Sequence, residues 1–408
     1  MSPSERGRRA AGRERSRQGR AAGLDGLRGL AALSVVCFHV WLYRFPDPTH
    51  VRRRGALDYA LSDFRLGLIL FFVLSGYLLY RGFARAALRR DGFVDVRLYL
   101  RRRVARVVPA YYLAMLGTLV LLWGARNTPG VRLPAHQSDV ALFAFFAQNY
   151  SSHTLLTLNP VTWTLCLEVL FYTLLPLLGV LAYRWSGGRA RRQAAALCGL
   201  IALGLVWNAG VFLARGGMVA SKALPAYLPY FGLGMLLALW VEREVARRGE
   251  RPRLGARATL ALATLGLLGV VGNAVWHSSG AADVVPLLAA TLQNLPAGIG
   301  FAALVAAVVA GRGAGARWSR FRPLAALGVV SYGVYLWHLP LMLFGKRLEL
   351  LPHAFLPRLV VVLAPAVAAG TLSWLLVERT MLALAARSER PRGARRRIGT
   401  ALEARAAP

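Results

Sequence analysis

Lysine is almost missing from this sequence. Of 51 basic residues only Lys222 and Lys346 are lysines, and 18 acidic residues oppose them, leaving a formal net charge of +33 in 408 residues. That charge suggests nucleic acid, but the arginines lie in blocks between apolar runs rather than on one globular face. Nucleic acid is therefore excluded as a partner, and the arginines read as markers of the cytoplasmic side of a membrane. Arginine in place of lysine fits a genome that favours arginine codons. Cysteine is scarce too: Cys37, Cys166 and Cys198 fall in apolar segments with no CxxC spacing, which excludes a redox pair and reads as small core residues. No HExxH, P-loop, GxSxG or metal-ligand cluster is present, so the common hydrolase and nucleotidase readings lack support. Neither a metal nor a permanently bound cofactor is expected. No small-residue cleavage site follows the first apolar run, which continues to Tyr43, so that run reads as a retained signal anchor.

Apolar length is what the chain has in abundance. Its residues are 56% hydrophobic, and several charge-free runs approach the twenty or so residues that a span requires. The fold class is all-α: a polytopic membrane helical bundle of about ten transmembrane helices, multi-pass in the plasma membrane. The spans fall near 24–43, 66–80, 107–123, 161–183, 194–213, 223–240, 258–276, 284–310, 324–344 and 355–377. A short apolar piece at 140–147 reads as re-entrant or interfacial. Residues 1–22 read as a basic disordered cytoplasmic tail, 23–380 as the membrane domain and 381–408 as a second basic cytoplasmic tail, with no appended soluble domain. Arginine blocks after the fourth, sixth, eighth and tenth spans place both termini in the cytoplasm. The first outer loop, with Arg52, Arg53 and Arg54, runs against that rule.

The first span carries the chemistry that stands out most. Arg28 and His39 are eleven residues apart, which returns to nearly the same azimuth ~16 Å along a helix. Ala32 and Val35 lie between them, giving a narrow stripe with a fixed cation at one end and a titratable ring at the other. Ionisable groups within spans are costly and therefore functional by default. An imidazole can take a proton from an attacking hydroxyl, and at that distance Arg28 suits an anionic ligand whose far end reaches His39. Asp25 either orients Arg28 or caps the helix. Arg103 and Arg106, three residues apart at the start of the third span, are either membrane anchors or a phosphate clamp. Glu168, inside an apolar span, is either an arginine partner or an acid/base or hydroxyl contact, and in both cases faces the bundle interior. His338, beside Trp337, is either part of an interfacial aromatic belt or a site residue. Glu378 and Arg379 read as a terminal anchor.

With these residues assembled, the chain from about Gly23 to Arg379 resembles the acyltransferase 3 family of integral-membrane acyltransferases. The resemblance rests on Arg28 and His39, on Phe71–Gly76 (Phe-Phe-Val-Leu-Ser-Gly), and on Arg103, Arg106 and Pro109. It continues through Trp163, Thr164, Leu165, Glu168, Phe171 and Tyr172, and closes on Ser331, Tyr332, Tyr335, Leu336 and His338. Two departures are Ile69, where an acidic residue is common, and Thr164 in place of serine. The resemblance implies transfer of an acyl group, often acetyl, from cytoplasmic acyl-CoA to a hydroxyl of a carbohydrate, glycolipid or secreted small molecule. It implies His39, Arg28 and Glu168 as catalytic candidates, Arg103 and Arg106 for the donor phosphates, and Trp163, Tyr172 and His338 for substrate. His39 would either deprotonate the acceptor or carry the acyl group itself. The alternative expectation is a transporter or flippase for a glycan or lipid-linked intermediate, with arginine and glutamate lining its path.

Overall fold

A computed structural model describes residues 3–45, 55–124, 131–134 and 136–387. Arg52, Arg53, Arg54 and the basic residues from Arg390 onward lie outside them. The described residues are helical, without strands. In chain order the helices are α1 (Pro3–Leu42), α2 (Gly55–Asp63), α3 (Gly67–Arg89), α4 (Val96–Leu121), α5 (Ser138–Ala144) and α6 (Trp163–Ser186). Next come α7 (Ala190–Leu213), α8 (Met218–Ser221), α9 (Leu224–Arg248), α10 (Ala256–Ser278), α11 (Ala281–Val284) and α12 (Pro286–Leu292). The chain continues through α13 (Leu295–Ala310), α14 (Ala314–Arg317), α15 (Arg322–Val329), α16 (Ser331–Arg347) and α17 (Phe355–Ser373), then through a π-helical turn (Trp374–Glu378) into α18 (Arg379–Arg387). Among the described residues nine helical stretches are long and apolar enough to cross a membrane, and α15 with α16 makes a tenth, bent by 78°.

That bend corrects the ninth span, which is not one straight helix. It breaks at Val330, and the Ser331 hydroxyl donates to the Gly328 carbonyl (2.8 Å), satisfying an acceptor that the break releases. The eighth span is likewise divided, into α12 and α13, with α11 ahead of it. At the other end of the chain, α1 begins at Pro3, so the residues read as a disordered tail are helical from there; their Ala, Arg and Glu are good helix formers. Because helix runs through Asp25, the capping role considered for that residue does not apply. The second and third spans are longer than their apolar cores. Arg81, Arg85 and Arg89 lie on α3, and Arg97 to Arg106 lie on α4, which the Asp95 side chain caps by accepting from the Leu98 N–H (2.9 Å). Cys37 and Cys166 are buried as expected, but Cys198 is exposed on α7.

Close backbone approach sets the position of the central helices. α3 packs most extensively on α9, and glycines on both permit it. A Cβ at Gly234 would fall 2.1 Å from the Val73 oxygen, and one at Gly76 would fall 2.1 Å from the Phe231 oxygen. Small residues at such crossings are the usual device of membrane helices. At one end Glu242, only 2% exposed, accepts from Arg81 Nε (3.0 Å) and Arg85 Nε (2.9 Å), tying α9 to α3. Replacing Gly234 by valine is expected to destabilise the protein by about 1–3 kcal/mol through overpacking against backbone. Thermal unfolding in detergent measures this, and an unchanged melting temperature would show that the two helices separate freely. A second close approach, with Gly328 of α15 against the Asp25 carbonyl of α1 (1.7 Å for a Cβ built there), seats the segment that bears Arg28.

Candidate active site

Five helices converge on one cavity. α1 supplies Arg28, α3 supplies Ser75, α4 supplies Arg103 and Arg106, α6 supplies Glu168 and Tyr172, and α16 supplies Tyr332 and Tyr335; together they line about 770 Å³ of empty space. The sequence spacing explains the faces: Arg103 and Arg106 are i,i+3 neighbours, and Glu168 and Tyr172 are i,i+4 neighbours. The break before Ser331 then aims the first turn of α16 into the same space.

Both oxygens of Glu168 are occupied by hydroxyls rather than guanidinium groups. Ser75 Oγ donates to Oε1 (3.3 Å) and the Tyr172 hydroxyl donates to Oε2. Arg28, Arg103 and Arg106 form no salt bridge with a described residue, and Arg103 Nε is buried without a hydrogen-bond partner. Tyr99 alone offers Arg103 a ring, 5.8 Å away. Glu168 is the one carboxylate lining the cavity, so its wall carries an excess of positive charge.

Sequence spacing alone does not place His39 in that cavity, and the structure does not either. The cavity wall ends at Tyr335, whose ring is 5.9 Å from that of His338. The Tyr335 hydroxyl is fixed there, donating to the Val161 oxygen (2.9 Å) and lying 2.8 Å from Thr164 Oγ1. Beyond it stands a histidine pair. His338 Nε2 is 3.2 Å from His39 Nδ1, His39 Nδ1 is 2.9 Å from the Val35 oxygen, and His338 Nδ1 is 3.1 Å from the Val334 oxygen. Carbonyl oxygens only accept, so the hydrogen-bond network assigns the ring protons: each Nδ1 carries hydrogen. The single His39 Nδ1–H is then shared between the Val35 carbonyl and His338 Nε2, and His39 Nε2 is left with a free lone pair. His338 is fully buried, so the aromatic-belt alternative is excluded; the residue faces the bundle interior.

Two other expectations change. Trp163 does not line the cavity. Its ring packs on Tyr227 (5.3 Å between centroids) and lies 4.1 Å from Lys222 Nζ, while Asn149 Nδ2 donates to the backbone oxygens of both Trp163 (2.8 Å) and Lys222 (3.3 Å). Glu378 is no terminal anchor: it is 4% exposed, closes the π-helical turn, and has Oε1 buried without a hydrogen-bond partner. It interacts electrostatically with Arg106 and Arg28, as Asp25 also does. Single-turn π insertions in helices are often found at functional sites. Sequence reading gave no individual site role to Ser75, Lys222 or Glu378. Glu378 carried the same signal as Glu168, a carboxylate at an apolar stretch, but stood next to an arginine that made it look interfacial.

A model of the acyltransferase domain matches residues 21–378. The chain belongs to the acyltransferase 3 family. It is a multi-pass membrane acyltransferase, which sets the transporter alternative aside. The match takes in every cavity residue and both histidines. Among similar proteins, one named as a membrane-bound transacylase from Komagataeibacter xylinus is 28% identical, over 88% of this chain and 82% of its own length. One named as a peptidoglycan O-acetyltransferase from Bacillus subtilis (strain 168) is 26% identical over 80% of this chain, and an O-acetyltransferase of Staphylococcus aureus is 23% identical over 79%. The chain spans about half the length of those last two relatives, 49% and 50%. No solved structure matches it.

Proposed function

We propose that this acyltransferase moves an acyl group, acetyl above all, from acyl-CoA to a hydroxyl of a carbohydrate or glycosylated acceptor, with the arginine cavity open to the cytoplasm. The observation that carries this reading is the cavity itself: Arg28, Arg103 and Arg106 converge on it without a salt bridge to any described residue. Unpaired cations inside a span are expensive unless an anion joins them, and guanidinium forks match phosphate oxygens. The relatives named as O-acetyltransferases support a hydroxyl acceptor, and the arginine blocks that mark the cytoplasmic side agree with donor entry at this end.

In the proposed reaction the donor's phosphates rest on the three arginines, and its arm displaces the Tyr335 ring that closes the cavity to reach the histidine pair. His39 Nε2 takes the proton of the acceptor hydroxyl as the hydroxyl oxygen bonds to the thioester carbon. The carbon–sulfur bond breaks, and the departing thiolate takes the proton from the imidazolium, leaving an ester and free CoA. His338, accepting from His39 Nδ1–H, keeps the ring in the productive tautomer and stabilises its charged form, as the carboxylate does in a serine–histidine–aspartate triad. It is a positioning residue in this scheme rather than a substrate contact. Glu168, with both oxygens held, positions the cavity wall and the Tyr172 hydroxyl.

Donor recognition is tested by comparing thiol release from acetyl-CoA and from S-acetylpantetheine, which lacks the phosphates. Charged hydrogen bonds of ordinary strength predict a kcat/KM at least about tenfold higher for acetyl-CoA. Equal values would remove the arginines from donor binding.

A further inference from the structure

A second group of cations sits at the opposite end of the bundle, where the mechanism above has no use for it. α1 leaves His39 and ends one turn later near Arg44. α16 runs the same way from His338 to Lys346. α17 starts at this end, with Arg358 in its first turn. Arg44 therefore stands ~7.5 Å along the helix axis from His39, and Lys346 ~12 Å along its own axis from His338.

The three side chains are poorly neutralised. Arg358 is 9% exposed, and among the described residues its side chain makes one hydrogen bond, from Nε to the Pro352 carbonyl (2.9 Å). Lys346 Nζ is buried with no hydrogen-bond partner. Arg358 interacts electrostatically with both Lys346 and Arg44. Arg44 does have a carboxylate, Asp58, which also accepts from Trp41 Nε1 (3.1 Å). Glu349, three residues beyond Lys346, is exposed and forms no salt bridge with it among the described residues. Among the described residues the one carboxylate paired with this cluster is Asp58, through Arg44. A guanidinium this buried and a desolvated ammonium without a partner are both expensive, and an incoming anion would relieve both.

We propose that Arg358, Lys346 and Arg44 form the acceptor subsite, and that the acceptor carries an acidic group, a carboxylate or phosphate, near the hydroxyl that becomes acylated. This rests on the acyl-transfer reading above. It narrows the acceptor class from carbohydrate in general to an acidic glycan or glycoconjugate, engaged from the side of the membrane opposite the donor cavity. The cluster holds the acid while the neighbouring hydroxyl meets His39 Nε2.

The test measures binding separately from turnover. The purified full chain, in a neutral detergent without anionic lipid, is titrated with glucose, glucuronic acid and glucose 6-phosphate. At least one acidic sugar should bind roughly tenfold or more tighter than glucose, the strength of one charge-assisted hydrogen bond. Arg358→Gln and Lys346→Gln should each abolish that preference, and Arg358→Lys should retain much of it, which separates lost charge from lost folding. Equal binding of all three sugars by the wild-type chain overturns the proposal, as does a preference that survives both glutamine substitutions. If the substitutions change only the retention of phosphatidylglycerol over phosphatidylcholine in nanodiscs, the cluster is a lipid headgroup site and the proposal also falls. Thiol release from acetyl-CoA is followed in parallel. Its absence in the wild type would defeat the acyl-transfer reading while the charge preference still reports on the cluster.

Discussion

Replacing His39 by alanine is expected to lower acyl transfer by about 10²–10⁴-fold, the range that positioned general-base catalysis supplies. The donor KM should change little, because the donor phosphates would sit at the far end of the cavity. The physical basis is the proton assignment in the histidine pair: both Nδ1 atoms face carbonyl oxygens, so the one free basic nitrogen is His39 Nε2. His338→Ala should have a smaller effect on kcat, since His39 Nδ1–H keeps its bond to the Val35 carbonyl. His338→Gln, which can still offer an acceptor, should recover part of the loss. Initial-rate thiol release with a saturating donor measures all three. Wild-type turnover by the His39→Ala protein would end this mechanism. A larger loss at His338 than at His39 would reverse the roles assigned to the two rings.

The second large effect concerns the donor. Arg28→Gln and Arg106→Gln should each raise the KM for acetyl-CoA by about 10–100-fold, as loss of a charge-assisted contact to phosphate implies. The same substitutions should leave the weak turnover of S-acetylpantetheine nearly unchanged, because that donor offers no phosphate to lose. This pattern separates binding from collapse of the cavity, since a misfolded wall would suppress both donors. Neither arginine forms a salt bridge with a described residue, although both interact electrostatically with Asp25 and the buried Glu378. The melting temperatures of the two variants should therefore fall only modestly, and a marked fall in stability would mean that the arginines serve the fold.

Much of this arrangement was legible before any coordinates. Arg28, Glu168, Arg103 and Arg106 announced themselves because each places a charge at an apolar span, and such placement is rare without a use. Helical periodicity then put Arg103 with Arg106, and Glu168 with Tyr172, on shared faces. The resemblance named Trp163 for substrate, but its large ring faces Lys222 and Tyr227 rather than the cavity; the sequence does not say which neighbour lies against which side of a helix. Charge placement misjudged Glu378. A carboxylate next to an arginine at the end of an apolar run looks interfacial until a π-helical turn rotates it inward.

The supposed continuous stripe on α1 shows the same limit. Arg28 and His39 do share a face, but whether a channel joins them depends on what packs between. Here Tyr335, from a helix some three hundred residues later, closes the cavity one ring short of the histidine pair. Its place there follows from the break at Val330, which no apolar count reveals.

By itself the sequence determined that the chain lives in a membrane, that it carries nine or ten stretches long and apolar enough to cross one, and which rare polar side chains had to face inward. Hydropathy and the cost of charge in hydrocarbon are local quantities, written along the chain. Tertiary structure alone decided that His338 meets His39, that three arginines from two helices meet without a salt bridge to any described residue, and that Arg44, Lys346 and Arg358 gather at the other end. Such contacts join residues far apart in the chain, the two histidines by 299 positions. They depend on helix crossings and bends that glycine contacts and a single break at Val330 set, and no spacing rule within one helix encodes them.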